Sequence, residues 1–157
     1  KEMTGVVCRN VLWLSLLLSA VLFFLSGLIV RLLFGEEYGQ AAQLFRLLLP
    51  GIALGSASRI LSTYVAAIGK PEVNMYFSLI ALVSNVILNI VLIPGFGAAG
   101  AAIATTITYA SNAILRTLYV ALRLDLGAKR ILLLQADDFR LYVRALRRLF
   151  RPRVRRT

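Results

Sequence analysis

The absence of charge over two long stretches constrains this chain more than any other feature. No charged residue occurs from Asn10 to Val30, and none from Val73 to Leu115. A helix that crosses a hydrocarbon core of roughly 30 Å needs about 20 consecutive apolar residues. Both stretches meet that need, and the second is long enough to meet it twice. A hydrophobic fraction of 59% and a mean hydropathy of +0.80 agree. The fold class that follows is all-α, a polytopic membrane helical bundle. In hydrocarbon a helix satisfies its own backbone hydrogen bonds, whereas an open strand cannot.

Punctuation divides the apolar sequence into four expected spans, about 10–34, 51–69, 73–93 and 97–124. Trp13 serves as an interface anchor near the start of the first. GEEYGQ at 35–40 breaks the chain, and AAQLFRLLLPG reads as a short helix that bends at Pro50. Gly69-Lys70-Pro71 stops the second span. The third is expected to end at Pro94, with Gly95 and Gly97 allowing a tight reversal. Gly97, Gly100, Ala101 and Ala104 then recur at three- and four-residue spacing. They give the fourth span a face where another backbone can pack closely, and close packing is what drives helix association in lipid. Residues 1–127 thus form a transmembrane region, and residues 128–157 a basic tail. The opening Lys1 in place of Met reads as an excerpt from a longer protein, and no signal-peptide cleavage pattern follows the first apolar run.

Charge sets the expected orientation. The net charge is +11, and the tail holds ten Lys or Arg against Asp137 and Asp138. Positive segments stay cytoplasmic, so the tail is inside, along with the Lys70 loop and the Lys1/Arg9 end. The Glu36–Glu37 loop and the uncharged 94–97 turn then face out. Arg31 and Arg46 fall on the outer side, against the bias. In the tail, FRLYVRALRRLF at 139–150 is a basic amphipathic helix. Its apolar face carries Phe139, Tyr142, Val143, Leu146, Leu149 and Phe150. Arg140, Arg144, Arg147, Arg148 and Arg151 form the polar face. Such a helix lies along anionic lipid, in preference to nucleic acid.

The chain contains no histidine and one cysteine, Cys8, which suits a small apolar filler. A His/Cys metal centre is excluded, and no cofactor motif is present. Adjacent acids such as Glu36–Glu37 point apart on a helix, and no serine or cysteine has an activating partner, so an enzyme is not expected.

Polar residues inside the spans are the candidate site. Arg59 lies about 14 Å from either end of the second span, near the midplane. There an arginine costs about 2.5–3.5 kcal/mol to insert, so it needs a partner or a wet cavity. Ser56, Ser62, Thr63 and Gly55 share its face. Ser78, Asn85 and Asn89 form a stripe on the third span, and Thr105, Thr108, Asn112 and Arg116 form one on the fourth. Helix–helix hydrogen bonding competes as an explanation for the Asn and Thr residues, and snorkelling to the inner interface competes for Arg116.

Three segments carry a resemblance: LFGEEYGQAAQLFRLLLPG, SRILSTYVAAIGKPE and NVILNIVLIPGFGAAGAAIAT. Together they resemble the C-terminal region of polysaccharide flippases in the multidrug/oligosaccharidyl-lipid/polysaccharide exporter superfamily. The resemblance covers roughly residues 10–125. Its specific part is the register of Asn85, Asn89, Pro94, Gly97, Gly100, Ala101, Ala102 and Thr105. It implies a bacterial inner-membrane protein with two helical lobes around a central cavity, in which these four spans belong to the second lobe. The N-terminal lobe would lie outside this chain. It also implies alternating-access transport of a lipid-linked oligosaccharide, often coupled to an ion gradient. Arg59 would then meet the anionic head group, with Ser56, Thr63, Asn85, Asn89 and Arg116 as further cavity residues. A drug or metabolite exporter of the same superfamily and a non-transporting membrane scaffold are the alternatives.

Overall fold

A computed structural model describes residues 2–124. The tail and its arginines, Arg140, Arg144, Arg147, Arg148 and Arg151, lie outside the described residues. Among the described residues the structure is helical, without strands. Helix α1 spans Glu2–Phe34, a short 3-10 turn spans Glu36–Tyr38, α2 spans Gly39–Ala67 and α3 spans Pro71–Arg123. All three α-helices are long and apolar enough to cross a membrane. At 1.5 Å per residue α1 measures about 50 Å, longer than the hydrocarbon core it would traverse.

Glycines at positive φ set the turns. Gly35 (φ 92) follows the last residue of α1, and its N–H reaches the Arg31 carbonyl at 3.0 Å. The α2 terminus closes with paired reverse bonds, Gly69 N–H to the Ala66 carbonyl at 3.0 Å and Lys70 N–H to that of Val65 at 3.2 Å. Gly69 (φ 78) supplies the left-handed residue this motif requires. Pro71 then opens α3, where its missing N–H is no loss.

Two boundaries differ from the sequence expectation. Pro50 does not divide α2, which runs through it. A proline removes one helical bond and crowds the carbonyl four residues back, so the turn before it opens. Here Pro50 is exposed, and the Thr106 hydroxyl donates to the Leu47 carbonyl at 2.5 Å. That bond ties the stretch of α2 before Pro50 to the C-terminal arm of α3, as Ser and Thr commonly do near prolines in membranes. The second difference is at Pro94, which also stays helical. The chain departs from helical geometry at Gly97 (φ 55, ψ −134).

The two arms of α3, 71–96 and 98–123, lie against each other in antiparallel fashion. Asn85 Nδ2 donates to Thr108 Oγ1 at 3.3 Å, and the Phe77 and Tyr119 rings meet edge-on at 5.7 Å. At the closed end Gly100 lies directly on the Leu92 carbonyl, where a Cβ would clash with backbone. Gly100, Ala102 and Ala104 are buried, Ala101 is half-buried and Gly97 is exposed.

Helix α2 occupies the middle of the bundle. It runs antiparallel to α1, where Arg46 Nε donates to Ser26 Oγ at 2.6 Å and the guanidinium lies 5.7 Å from the Phe23 ring centre. It runs parallel to the C-terminal arm of α3, with Gly51 against Thr106 and Gly55 against Tyr109. A cluster of Cys8, Leu12, Ala57, Leu61, Val65 and Val120 joins all three helices at the far end. Buried α2 positions are mostly small: Ala42, Gly51, Ala53, Ala57 and Ser58 accompany Leu49, Leu61 and Val65. Large apolar side chains instead point outward, with Phe24 at 80% and Leu32 at 81% exposure. An aqueous protein would bury these residues; a lipid-solvated one displays them.

Candidate functional site

An open cleft of about 810 Å³ lies along α2 and the C-terminal arm of α3. Its α2 wall carries Ser56, Ser58, Arg59, Ser62 and Thr63; its α3 wall carries Thr105, Tyr109, Asn112 and Arg116. The one-face spacing on α2 and the three-four-four spacing on α3 place these residues together, because the two helices run parallel and keep both stripes in step.

Three of the hydroxyls are tied down by their own helices. Ser56 donates to the Ala53 carbonyl at 2.7 Å, Thr63 to that of Arg59 at 3.1 Å and Thr105 to that of Ala101 at 2.9 Å. With their protons committed, these oxygens present lone pairs to the cleft and suit a hydroxyl donor such as a sugar. Arg59 differs. It is exposed on the cleft, and among the described residues its guanidinium has no hydrogen-bond or ion-pair partner.

Arg116 is buried between helices. It is 5% exposed, with Nε donating to Asn112 Oδ1 at 3.0 Å and Nη1 to Asn74 Oδ1 at 2.5 Å. The guanidinium also lies over Phe77, 5.5 Å from the ring centre. Asn74 in turn donates from Nδ2 to the Ser62 carbonyl at 2.9 Å, linking both arms of α3 to α2.

Four of the expected cavity residues, Arg59, Ser56, Thr63 and Arg116, meet at the cleft. Asn85 and Asn89 do not line it. Asn89 Nδ2 donates to Asn85 Oδ1 at 2.9 Å, Asn85 bonds Thr108, and Thr108 donates to the Ala104 carbonyl at 2.8 Å. That chain serves the packing of the two α3 arms. Ser78, expected on the same stripe, is exposed. Sequence reasoning missed Asn74, although it stands four residues before Ser78 and extends that stripe by one turn. It also missed Thr106, whose partner is a backbone carbonyl that no side-chain pattern reveals.

Long apolar helices that turn their large side chains outward and carry a polar, cationic cleft define a multi-pass membrane protein. Similarity to known proteins makes the class specific. A family model described as "Lipid II flippase MurJ" matches residues 3–146, and the chain belongs to that family. It is 32% identical over 119 residues to the "Probable low-salt glycan biosynthesis flippase Agl15" of Haloferax volcanii, covering 73% of this chain and 25% of that protein. It is 36% identical over 85 residues to the "Capsular polysaccharide biosynthesis protein CapF" of Staphylococcus aureus, covering 54% and 22%. The "Uncharacterized membrane protein MJ1068" of Methanocaldococcus jannaschii shares 32% over 92 residues, covering 59% and 18%. The chain therefore spans a quarter or less of the length of these curated relatives. No solved structure matches it. The family and the relatives named as flippases are transporters, not enzymes.

Proposed function

We propose that this chain is part of the second lobe of a two-lobed flippase of the multidrug/oligosaccharidyl-lipid/polysaccharide exporter superfamily. Its cargo is a lipid-linked oligosaccharide or polysaccharide repeat unit, moved across the bacterial inner membrane by alternating access. The observation that carries the reading is Arg59, a guanidinium with no partner among the described residues, which opens onto a polar cleft eight residues before the end of α2 and not at its middle, because α2 begins at Gly39. A lipid-linked sugar crosses the membrane with an anionic phosphate linker. A guanidinium offers that linker paired, charge-assisted hydrogen bonds, while the fixed hydroxyl oxygens receive sugar O–H groups. Two arginines on one cleft repel an organic cation, which weighs against a drug exporter. A scaffold would consume its polar stripes in helix contacts, and here most of two stripes remain open to the cleft.

In this reading the chain crosses the membrane four times, α3 making two crossings joined at Gly97. The Glu36–Glu37 and 94–97 turns lie outside, and the Lys70 turn and the tail lie in the cytoplasm. The tail arginines bind anionic lipid, and the N-terminal lobe closes the open side of the cleft.

The test is transport by the full-length protein in proteoliposomes, with membrane abundance measured beside flux. Arg59→Ala is expected to leave abundance near normal and strongly reduce flux. Arg59→Lys is expected to keep part of the flux, because the charge remains while the bidentate fork is lost. Normal flux in a well-expressed Arg59→Ala protein ends the head-group assignment.

A further inference from the structure

Every partner of Arg116 is uncharged. Asn112 and Asn74 offer amide oxygens, Phe77 offers a ring face, and among the described residues no carboxylate forms an ion pair with the guanidinium. This is an unusual setting for a side chain only 5% exposed. Removing a cation from water costs several kcal/mol, and a carboxylate is the ordinary compensation. An amide oxygen fixes the plane of the fork but returns no negative charge. The two bonds occupy two of five N–H groups, leaving three uncommitted on a residue that lines the cleft.

The amides are themselves held. Asn74 is anchored to α2 through the Ser62 carbonyl, and Asn112 lies one turn before Arg116 on the same helix. Because α2 and the C-terminal arm run parallel, with Gly51 at Thr106 and Gly55 at Tyr109, Arg59 and Arg116 face the cleft from two helices within one helical turn of each other in depth.

We infer that Asn74 and Asn112 are positioning residues that hold Arg116 as an oriented cation without neutralising it, so that its charge is kept for an oxyanion entering the cleft. The inference rests on the reading of the cleft as a head-group site, and adds which residues tune that site's charge. The phosphates of a diphosphate linker and the carboxylate of an acidic sugar both suit the free guanidinium edge.

Replacing either amide by its isosteric acid separates charge from shape. Asn112→Asp keeps the acceptor for Arg116 Nε and adds a counter-charge; Asn74→Asp does the same at Nη1 but gives up the bond to Ser62. The purified full-length protein would be titrated with farnesyl diphosphate, with glucuronate and with farnesol as the neutral control, and melted in parallel. The acid variants are expected to melt at or above the parent temperature, since each gains an ion pair. They are expected to bind the anionic probe on the order of ten- to a hundredfold more weakly, with farnesol unchanged. A loss confined to farnesyl diphosphate or to glucuronate names the source of the oxyanion. A purely structural clamp predicts the parent's anion affinity in whichever acid variant folds, and that result overturns the inference, as does a parent that binds neither anion. A parent that binds the anion in the expected manner but moves no lipid-linked glycan refutes the proposed function and leaves the inference standing.

Discussion

Gly51 provides the sharpest test of how α2 and the C-terminal arm of α3 are joined. A Cβ built on Gly51 would lie 2.7 Å from the Cα of Thr106, with Oγ1 and Cβ of Thr106 at 3.1 and 3.2 Å. The nearest atom is backbone, so no rotamer change relieves the contact. Gly51→Ala must therefore part the helices by about 0.7 Å to regain ordinary contact. That separation stretches the bond from the Thr106 hydroxyl to the Leu47 carbonyl, which joins the two helices. Overpacking costs about 1–3 kcal/mol, and a strained interhelical hydrogen bond adds roughly 0.6 kcal/mol, for a loss of about 2–4 kcal/mol. Gly55→Ala is the internal control, one turn along the same interface. Its Cβ would meet only the Tyr109 ring at 3.6 Å, an ordinary contact, so a change within about 0.5 kcal/mol is expected. Equilibrium unfolding of the full-length protein in bicelles measures both. Equal stability of the two alanine variants would refute the close approach of α2 to α3.

Other consequences are local. Gly97→Ala places a side chain at φ 55, ψ −134 and is expected to cost about 1–3 kcal/mol in the same unfolding assay, although nothing crowds the site. Thr108→Val removes the acceptor for Asn85 while keeping shape, and is expected to cost about 0.6 kcal/mol by the same measurement. Orientation is read by labelling single cysteines in a Cys8→Ala background. Positions Gln40 and Phe96 are expected to react with an impermeant outside reagent and Glu72 to be protected; the reverse pattern refutes the cytoplasmic Lys70 turn.

The sequence by itself determined the solvent. Uncharged runs of such length have no aqueous solution, so the helical membrane class follows from backbone hydrogen bonding in lipid alone. It also determined which faces of α2 and of the C-terminal arm are polar, because helical periodicity acts within one segment and needs no partner. Arg59, Ser56 and Thr63 were legible for that reason. Tertiary structure decided what each stripe meets. Asn85 and Asn89 have the same local signature as the cleft residues, yet the hairpin at Gly97 turns them onto Thr108. Arg116 read as snorkelling to the inner interface or as cavity-lining, and only the fold shows Asn74, 42 residues away, at its Nη1. Pro50 was expected to bend the chain between a short helix and the second span, and α2 runs through it, with a threonine 59 residues beyond Leu47 in sequence bonded to the Leu47 carbonyl. In each case the deciding partner lies on another helix, and a bond that spans helices leaves no period in the sequence of either one.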